Sequence, residues 1–188
     1  ALVTADLTIA ERVISGDARI DELTKEIEQR SFQLLARQAP VAGELRTVVA
    51  VLRMSYSLDR MGDLAAHIAK IARLRYPEVA APEPVADQIK QMAETADSMI
   101  ATAITTLENR DAEAAAGLAT ADSKMDELRS DQFHLLLSDD WEYGVEKAVD
   151  TALLGRYYER IADHAVAMGA RTIYILSLIH ISEPTRPY

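Results

Sequence analysis

The chain contains two copies of one helical pattern, and this internal repeat constrains its fold more than any other feature. Residues 4–23 (TADLTIAERVISGDARIDEL) align with residues 109–128 (NRDAEAAAGLATADSKMDEL) at an offset of 105. Further along, residues 59–65 (DRMGDLA) align with residues 159–165 (ERIADHA) at an offset of 100. A repeat of this length indicates two copies of a single supersecondary unit.

Both copies are predicted to be helical. Apolar residues recur at three- and four-residue steps, which is the spacing of amphipathic helices. The composition agrees, since 49% of the residues are apolar and only seven glycines and six prolines occur. We therefore predict five long helices, at about 5–37, 42–75, 85–108, 111–137 and 142–175.

The predicted fold is all-α, a tandem repeat of two antiparallel three-helix bundles. Residues 1–78 form the first bundle, 79–84 a proline-containing linker, and 85–175 the second bundle. The helix at 85–108 has no counterpart before residue 4. We therefore expect that the first bundle, with two helices, lacks its opening helix because the reading frame is truncated.

The last part of the chain looks foreign to the rest. Residues 176–186 (LSLIHISEPTR) match the in-frame translation of a transposon-type sequencing adapter. We expect that residues 176–188 are not native, and we leave them, with His180, out of functional reasoning.

Charge and composition exclude several classes of function. The net charge of −10 argues against non-specific binding to nucleic acid, which requires a basic face. The absence of cysteine excludes disulfides, thiolate zinc sites and cysteine nucleophiles. The apolar stretch at 173–181 is too short to span a bilayer.

Four acidic pairs lie on the predicted helices, each with its two carboxylates four residues apart. The pairs are Asp17/Asp21, Asp59/Asp63, Asp122/Asp126 and Glu159/Asp163. Positions i and i+4 share one face of a helix, and a like-charged pair there costs about 0.2–0.5 kcal/mol. The presence of like-charged pairs at matching positions of both repeats therefore needs a physical explanation.

Folding each hairpin about its turn brings the acidic pairs to matching heights. With turns near residue 40 and at 142–143, the residues that become level are Asp17 with Asp63, Asp21 with Asp59, Asp122 with Asp163, and Asp126 with Glu159. Because packed helix axes lie about 8–10 Å apart, the four carboxylates of each hairpin can face a common point.

We predict that each set of four carboxylates binds metal. Clustered negative charges require either protonation or a multivalent cation, and oxygen donors favour hard ions such as Mg, Ca, Mn or ferric iron. The alternative is an ordinary solvated acidic face, with Arg60 and Arg160 as surface salt-bridge partners. His67 could join the first set, although its repeat counterpart is Ala167, and His164 points away from Asp163.

Three stretches closely resemble the PhoU family, the accessory regulators of phosphate-specific transport. They are DARIDEL, QAPVAGELRTVVAVLRMSYSLDRMGDLAAHIAKIA and ALLGRYYERIADHAV, and the resemblance covers about residues 1–175. It implies two tandem three-helix bundles. It also implies surface metal clusters on E/D-x-x-x-D motifs, with iron in some members and magnesium or manganese suggested in others. On this chain the motifs fall on the four acidic pairs.

The resemblance implies regulation rather than catalysis. PhoU-like proteins restrain the phosphate-starvation response by linking the phosphate ABC transporter, through its ATPase, to a sensor histidine kinase. We therefore expect a cytoplasmic, non-enzymatic homodimer that binds Mg, Mn or Fe, binds no nucleic acid and reaches the membrane only through its partners.

Two other hypotheses remain open. One is a purely structural helical interaction module without metal. The other is a carboxylate-bridged di-iron enzyme, which is disfavoured because such sites use Glu-x-x-His motifs and none occurs in residues 1–175.

Overall fold

The computed structural model describes residues 1–177, which form five α-helices joined by short loops. The helices are α1 (Leu7–Gln38), α2 (Ala42–Arg75), α3 (Glu83–Asn109), α4 (Ala112–Leu136) and α5 (Gly144–Leu176). Each helix begins and ends within two residues of its predicted bounds. No strand occurs among the described residues, and the all-α prediction is confirmed.

The repeat is visible in how α1 and α4 begin. The Asp6 carboxylate accepts a hydrogen bond from the Ile9 backbone N–H (3.0 Å), and the Asp111 carboxylate accepts one from Ala114 (2.9 Å). Asp6 and Asp111 align in the repeat, and an N-cap aspartate satisfies an otherwise unpaired donor of the first helical turn. The same local chemistry therefore starts both helices.

The helices pack as a hairpin and a three-helix bundle. Helices α1 and α2 pack on each other and form what we call the first unit. Helices α3, α4 and α5 all contact one another and form the second unit, and α2 packs on α5 to join the two units. The prediction of a truncated opening helix stays a prediction.

The core lies mainly in the second unit and at the α2–α5 interface. The largest fully buried apolar side chains all belong to α3, α4 and α5; they are Val85, Ile89, Met92, Met99, Leu118, Met125 and Leu154. In α1 the only buried apolar residue is Ala10.

The segment between the units is held by polar contacts. Its irregular part runs over 76–82, so residues 83–84 of the predicted linker belong to α3. The Leu2 carbonyl accepts hydrogen bonds from the backbone N–H groups of Ala80 (3.0 Å) and Ala81 (3.4 Å). The Arg75 guanidinium pairs with the carboxylates of Asp150 and Glu146 on α5.

Residues 178–188, most of the segment attributed to an adapter, lie outside the described residues. Leu176 ends α5, and Ser177 follows it. Within the described part of the chain, no helix is both long enough and apolar enough to cross a membrane.

Candidate metal centres

The α1–α2 hairpin gathers the first four predicted carboxylates, which we call the first cluster (Asp17, Asp21, Asp59 and Asp63). All four side chains are half-buried. Burial raises the pKa of Asp17, and the charges of Asp63, Asp21 and Asp59 raise it further, whereas Lys70 lowers it. Carboxylates of both helices therefore contribute to the raised pKa of Asp17.

Close helix packing positions Asp17. Gly62 of α2 has no Cβ, and a methyl group at that position would lie 2.8 Å from Asp17 Oδ1. The Asp17 side chain therefore rests against the backbone of α2. Its Oδ1 atom is buried and accepts no hydrogen bond within the described structure, which is an unusual state for a carboxylate oxygen.

Two polar residues contact the α2 carboxylates of the first cluster. The Thr24 hydroxyl lies 3.2 Å from Asp59 Oδ1 and 3.1 Å from the Asp21 carbonyl oxygen, so it can donate to either. Arg60 Nη1 donates to Asp63 Oδ2 at 2.5 Å, one helical turn along α2. Both side chains of this ion pair are more than one-third exposed, and its contribution to stability is accordingly small.

The α4–α5 hairpin gathers the second cluster (Asp122, Asp126, Glu159 and Asp163). Burial raises the pKa of Asp122, and the charges of Asp126, Asp163 and Glu159 raise it further. Its Oδ1 atom is also buried and without a hydrogen-bond partner in the described residues. Asp122 and Glu159 are half-buried, whereas Asp126 and Asp163 are exposed.

Two arginines that the sequence analysis missed hold Glu159. Arg129 Nε lies 2.7 Å from Glu159 Oε2, and Arg156 Nη1 lies 2.8 Å from Oε1. The Arg129 contact is an ion pair rather than a well-aligned hydrogen bond, since Oε2 accepts no hydrogen bond. The sequence contains a signal for them, because Arg129 aligns with Thr24 and Arg156 aligns with Tyr56 in the first copy of the repeat. The two arginines are therefore specific to the second copy.

The two histidines nearest the clusters face the interface between the units. His67 is exposed, and its ring lies 5.5 Å from that of Tyr157 on α5. Burial lowers the pKa of His164, and Arg160 and Arg60 lower it further against the opposing effect of Asp163. Of the two arginines expected to neutralise the carboxylates, Arg60 pairs with Asp63.

The donor chemistry fits hard metal ions, but the carboxylates do not converge on one point. Within residues 1–177 no three histidine or acidic side chains are grouped closely enough to hold a metal ion. The buried, unpartnered oxygens of Asp17 and Asp122 are suitable hard donors. The assignment of the eight carboxylates as metal ligands stays a prediction.

An apolar groove lies away from both clusters. It has a volume of about 410 Å³, runs between α1, α2 and α3, and is lined mostly by small and branched apolar side chains. None of the eight carboxylates lines it. Tyr158 of α5 contributes to its wall, and burial raises the pKa of the Tyr158 hydroxyl to about 12.

Comparison with known proteins identifies the repeat. The family model "PhoU domain" matches residues 1–72 and again 89–172. Phosphate-specific transport system accessory protein PhoU homolog 2 of Mycobacterium tuberculosis is 44% identical over 174 residues, which are 93% of this chain and 82% of that protein. PhoU homolog 1 of Mycobacterium leprae is 43% identical over 93% of this chain and 78% of its own length.

Solved structures show the same fold. The crystal structure of PhoU from Pseudomonas aeruginosa superposes with a TM-score of 0.86 at 24% identity, covering 93% of this chain and 84% of that chain. The phosphate transport system regulatory protein PhoU from Streptococcus pneumoniae superposes with a TM-score of 0.81 at 26% identity, covering 94% and 83%. With its two matched repeats and its close relatives, this chain belongs to the PhoU family.

Proposed function

We propose that this protein is an accessory protein of a phosphate-specific transport system and restrains the phosphate-starvation response when phosphate is plentiful. The observation that carries the proposal is the family match over both units, together with 44% identity to a protein named as such an accessory protein. In this role the protein acts in the cytoplasm without catalysis. It links the transporter ATPase to a sensor histidine kinase and reaches the membrane only through these partners.

Metal binding at the acidic clusters is the second part of the proposal. The ions are Mg, Mn or Fe, and the carboxylates of each cluster would hold them. Support comes from burial and from the mutual repulsion of the carboxylates, which together raise the pKa of Asp17 and Asp122, and from the unpartnered buried oxygen on each. A bound cation supplies positive charge that relieves this repulsion.

A binding experiment tests the partner assignment. The purified full chain is immobilised and exposed separately to the transporter ATPase and to the cytoplasmic part of the sensor kinase, with and without Mn²⁺. We expect both partners to be retained. Retention of neither partner under any condition contradicts the adaptor role.

A helical interaction module without metal is the second candidate, favoured by the absence of a converged three-ligand group within residues 1–177. Elemental analysis and thermal melting separate the two. Metal binding predicts stoichiometric metal, and the part of it that the first cluster holds should be lost with Asp59→Asn and Asp63→Asn together. It should persist with Glu22→Gln and Glu26→Gln, an exposed acidic pair on α1 that is already paired with Arg19 and Arg30.

A further inference from the structure

The turns of the two hairpins lie at opposite ends of the molecule. Helices α2 and α5 run antiparallel, since Arg46 near the start of α2 donates to the Ser177 carbonyl oxygen at the end of α5 (2.8 Å). At the other end of this helix pair, Arg75 contacts Asp150 near the start of α5. The α1–α2 turn therefore lies at one end of the molecule, and the α4–α5 turn lies at the other.

These two ends are equivalent in the repeat but carry opposite charge. Residues 30–53, which we call the basic end, contain four arginines and one glutamate, a net charge of +3. The aligned residues 135–153, which we call the acidic end, contain five acidic residues and one lysine, a net charge of −4. The whole chain has a net charge of −10, so the basic end is a local reversal of sign in an acidic protein.

Several of these charges are exposed and have no ion-pair partner among residues 1–177. They are Arg37 and Arg53 on the basic end and Asp139, Asp140 and Glu142 on the acidic end. Like charges on one surface repel each other, and a facing surface of opposite charge relieves that repulsion. Each end therefore has the charge that complements the other.

The same two ends hold the most exposed large apolar side chains of residues 1–177. On the acidic end Leu137 is 83% exposed and Val145 is 81% exposed, and on the basic end Val41 is 73% exposed. Val149, one helical turn after Val145, and Phe32 on the basic end are exposed as well. Exposed apolar side chains surrounded by charged ones are typical of surfaces that contact another protein.

We propose that the basic end of one copy of this chain binds the acidic end of a second copy, in an antiparallel dimer with two-fold symmetry. A two-fold axis perpendicular to the long helices places each end beside the opposite end of the other copy, so the same contact forms twice. One hairpin end offers little area, and the second contact doubles the buried surface towards the roughly 1,200–2,000 Å² of stable interfaces. The dimer requires neither bound metal nor the partners proposed above.

A second copy fits these surfaces better than a membrane does. An anionic membrane would attract the basic end and its exposed apolar side chains. It would repel the acidic end, where Leu137 and Val145 would stay exposed. A second copy covers both ends at once.

Reversing the charge of either end, and then mixing the variants, tests the contact in the full chain. The variant of the basic end carries Arg37→Glu and Arg53→Glu. The variant of the acidic end carries Asp139→Lys, Asp140→Lys and Glu142→Lys.

The matched control is Arg19→Glu with Lys25→Glu, which reverses two exposed charges midway along α1. Circular dichroism and thermal melting check that every variant is folded. Analytical ultracentrifugation over a range of protein concentrations measures the dimer dissociation constant.

We expect the wild type and the control to form dimers that added salt weakens. Each reversed variant alone should dissociate about tenfold more readily or more, because its two contacts then join like charges. Mixing the two reversed variants should restore the dimer, since both contacts of the mixed dimer join opposite charges. A chain that carries all five substitutions should also dimerise, because its two ends have exchanged signs.

Several results overturn the proposal. They are a wild type that stays monomeric at every concentration, a dimer that neither reversal weakens, reversed variants that stay monomeric when mixed, and assemblies that grow beyond the dimer. Binding of a monomeric wild type to vesicles containing phosphatidylserine, lost with Arg37→Glu and Arg53→Glu, would assign the basic end to an anionic membrane instead.

Discussion

Helices α1 and α4 carry the same repeated sequence, yet they bury it to different degrees. Leu118 of α4 is 1% exposed, whereas its repeat equivalent in α1, Val13, is 37% exposed. The difference follows from the neighbours, since α4 packs on both α3 and α5, while α2 is the one helix among residues 1–177 that α1 packs on. An amphipathic pattern specifies which face is apolar, but the burial of that face depends on the helices that cover it.

The carboxylate clusters differ in the opposite direction. The first holds four half-buried carboxylates, whereas two of the four in the second are exposed and a third is paired with arginines. The less covered unit therefore holds the more buried cluster of carboxylates.

The largest expected effect concerns the buried apolar face. Leu118→Ala should lower the free energy of unfolding by about 2–5 kcal/mol, because it leaves a cavity in a packed core. Val13→Ala should cost less than about 1 kcal/mol, because that site is already partly open to solvent. Urea denaturation measures both, and similar losses would show that the two faces are equally packed.

A smaller effect is expected at Gly169, where the backbones of α4 and α5 approach closely. A Cβ on Gly169 would lie 2.9 Å from the Ala115 carbonyl oxygen, and a backbone atom cannot rotate away. Gly169→Ala should therefore cost about 1–3 kcal/mol. The equivalent residue in α2 is Ala69, so the first hairpin already accommodates this methyl group.

Gly117→Ala is the control for that substitution. A Cβ at Gly117 has no atom within 4 Å, so alanine should stabilise α4 by about 0.5–1 kcal/mol through helix propensity. Thermal melting compares the two variants. Stabilisation by Gly169→Ala would show that the helices are further apart than described.

The smallest effect concerns the carboxylates in metal-free protein. The pKa of Asp17 is raised in the folded state. At pH values between the ordinary pKa of an aspartate and this raised pKa, the folded chain therefore binds more protons than the unfolded chain. Stability is therefore lost as the pH rises through this window. Asp17→Asn should remove this loss and stabilise the chain by about 0.5 kcal/mol at pH 7.

Urea denaturation between pH 4 and pH 8 tests this sign, with Asp122→Asn as the equivalent in the second unit. Glu22→Gln is the control, because Glu22 is exposed and paired with Arg19. A destabilising effect of Asp17→Asn in metal-free protein would mean that the carboxylate is held by a favourable partner.

Much of the architecture could be predicted because it depends on local pattern. Three- and four-residue spacing located all five helices, and the repeated Asp6 and Asp111 mark the starts of α1 and α4. The turn positions gave the hairpin register that brings Asp17 near Asp63. These features depend on residues close in sequence or on simple counting along two helices.

The contacts of Arg129 and Arg75 could not be predicted in the same way, whereas Arg156 lies only three residues from Glu159 on α5. Arg129 reaches Glu159 across α4 and α5, and Arg75 reaches Asp150 across the two units. A long side chain has many rotamers, so its partner depends on how neighbouring helices are rotated and spaced.

The sequence by itself determined the helices, their order and the alignment of acidic residues on their faces, because helical periodicity and capping act over a few residues. Only the tertiary structure decided which carboxylates are neutralised and which apolar faces are covered. Both depend on the distance and orientation between helices that are far apart in the chain, and packing sets these.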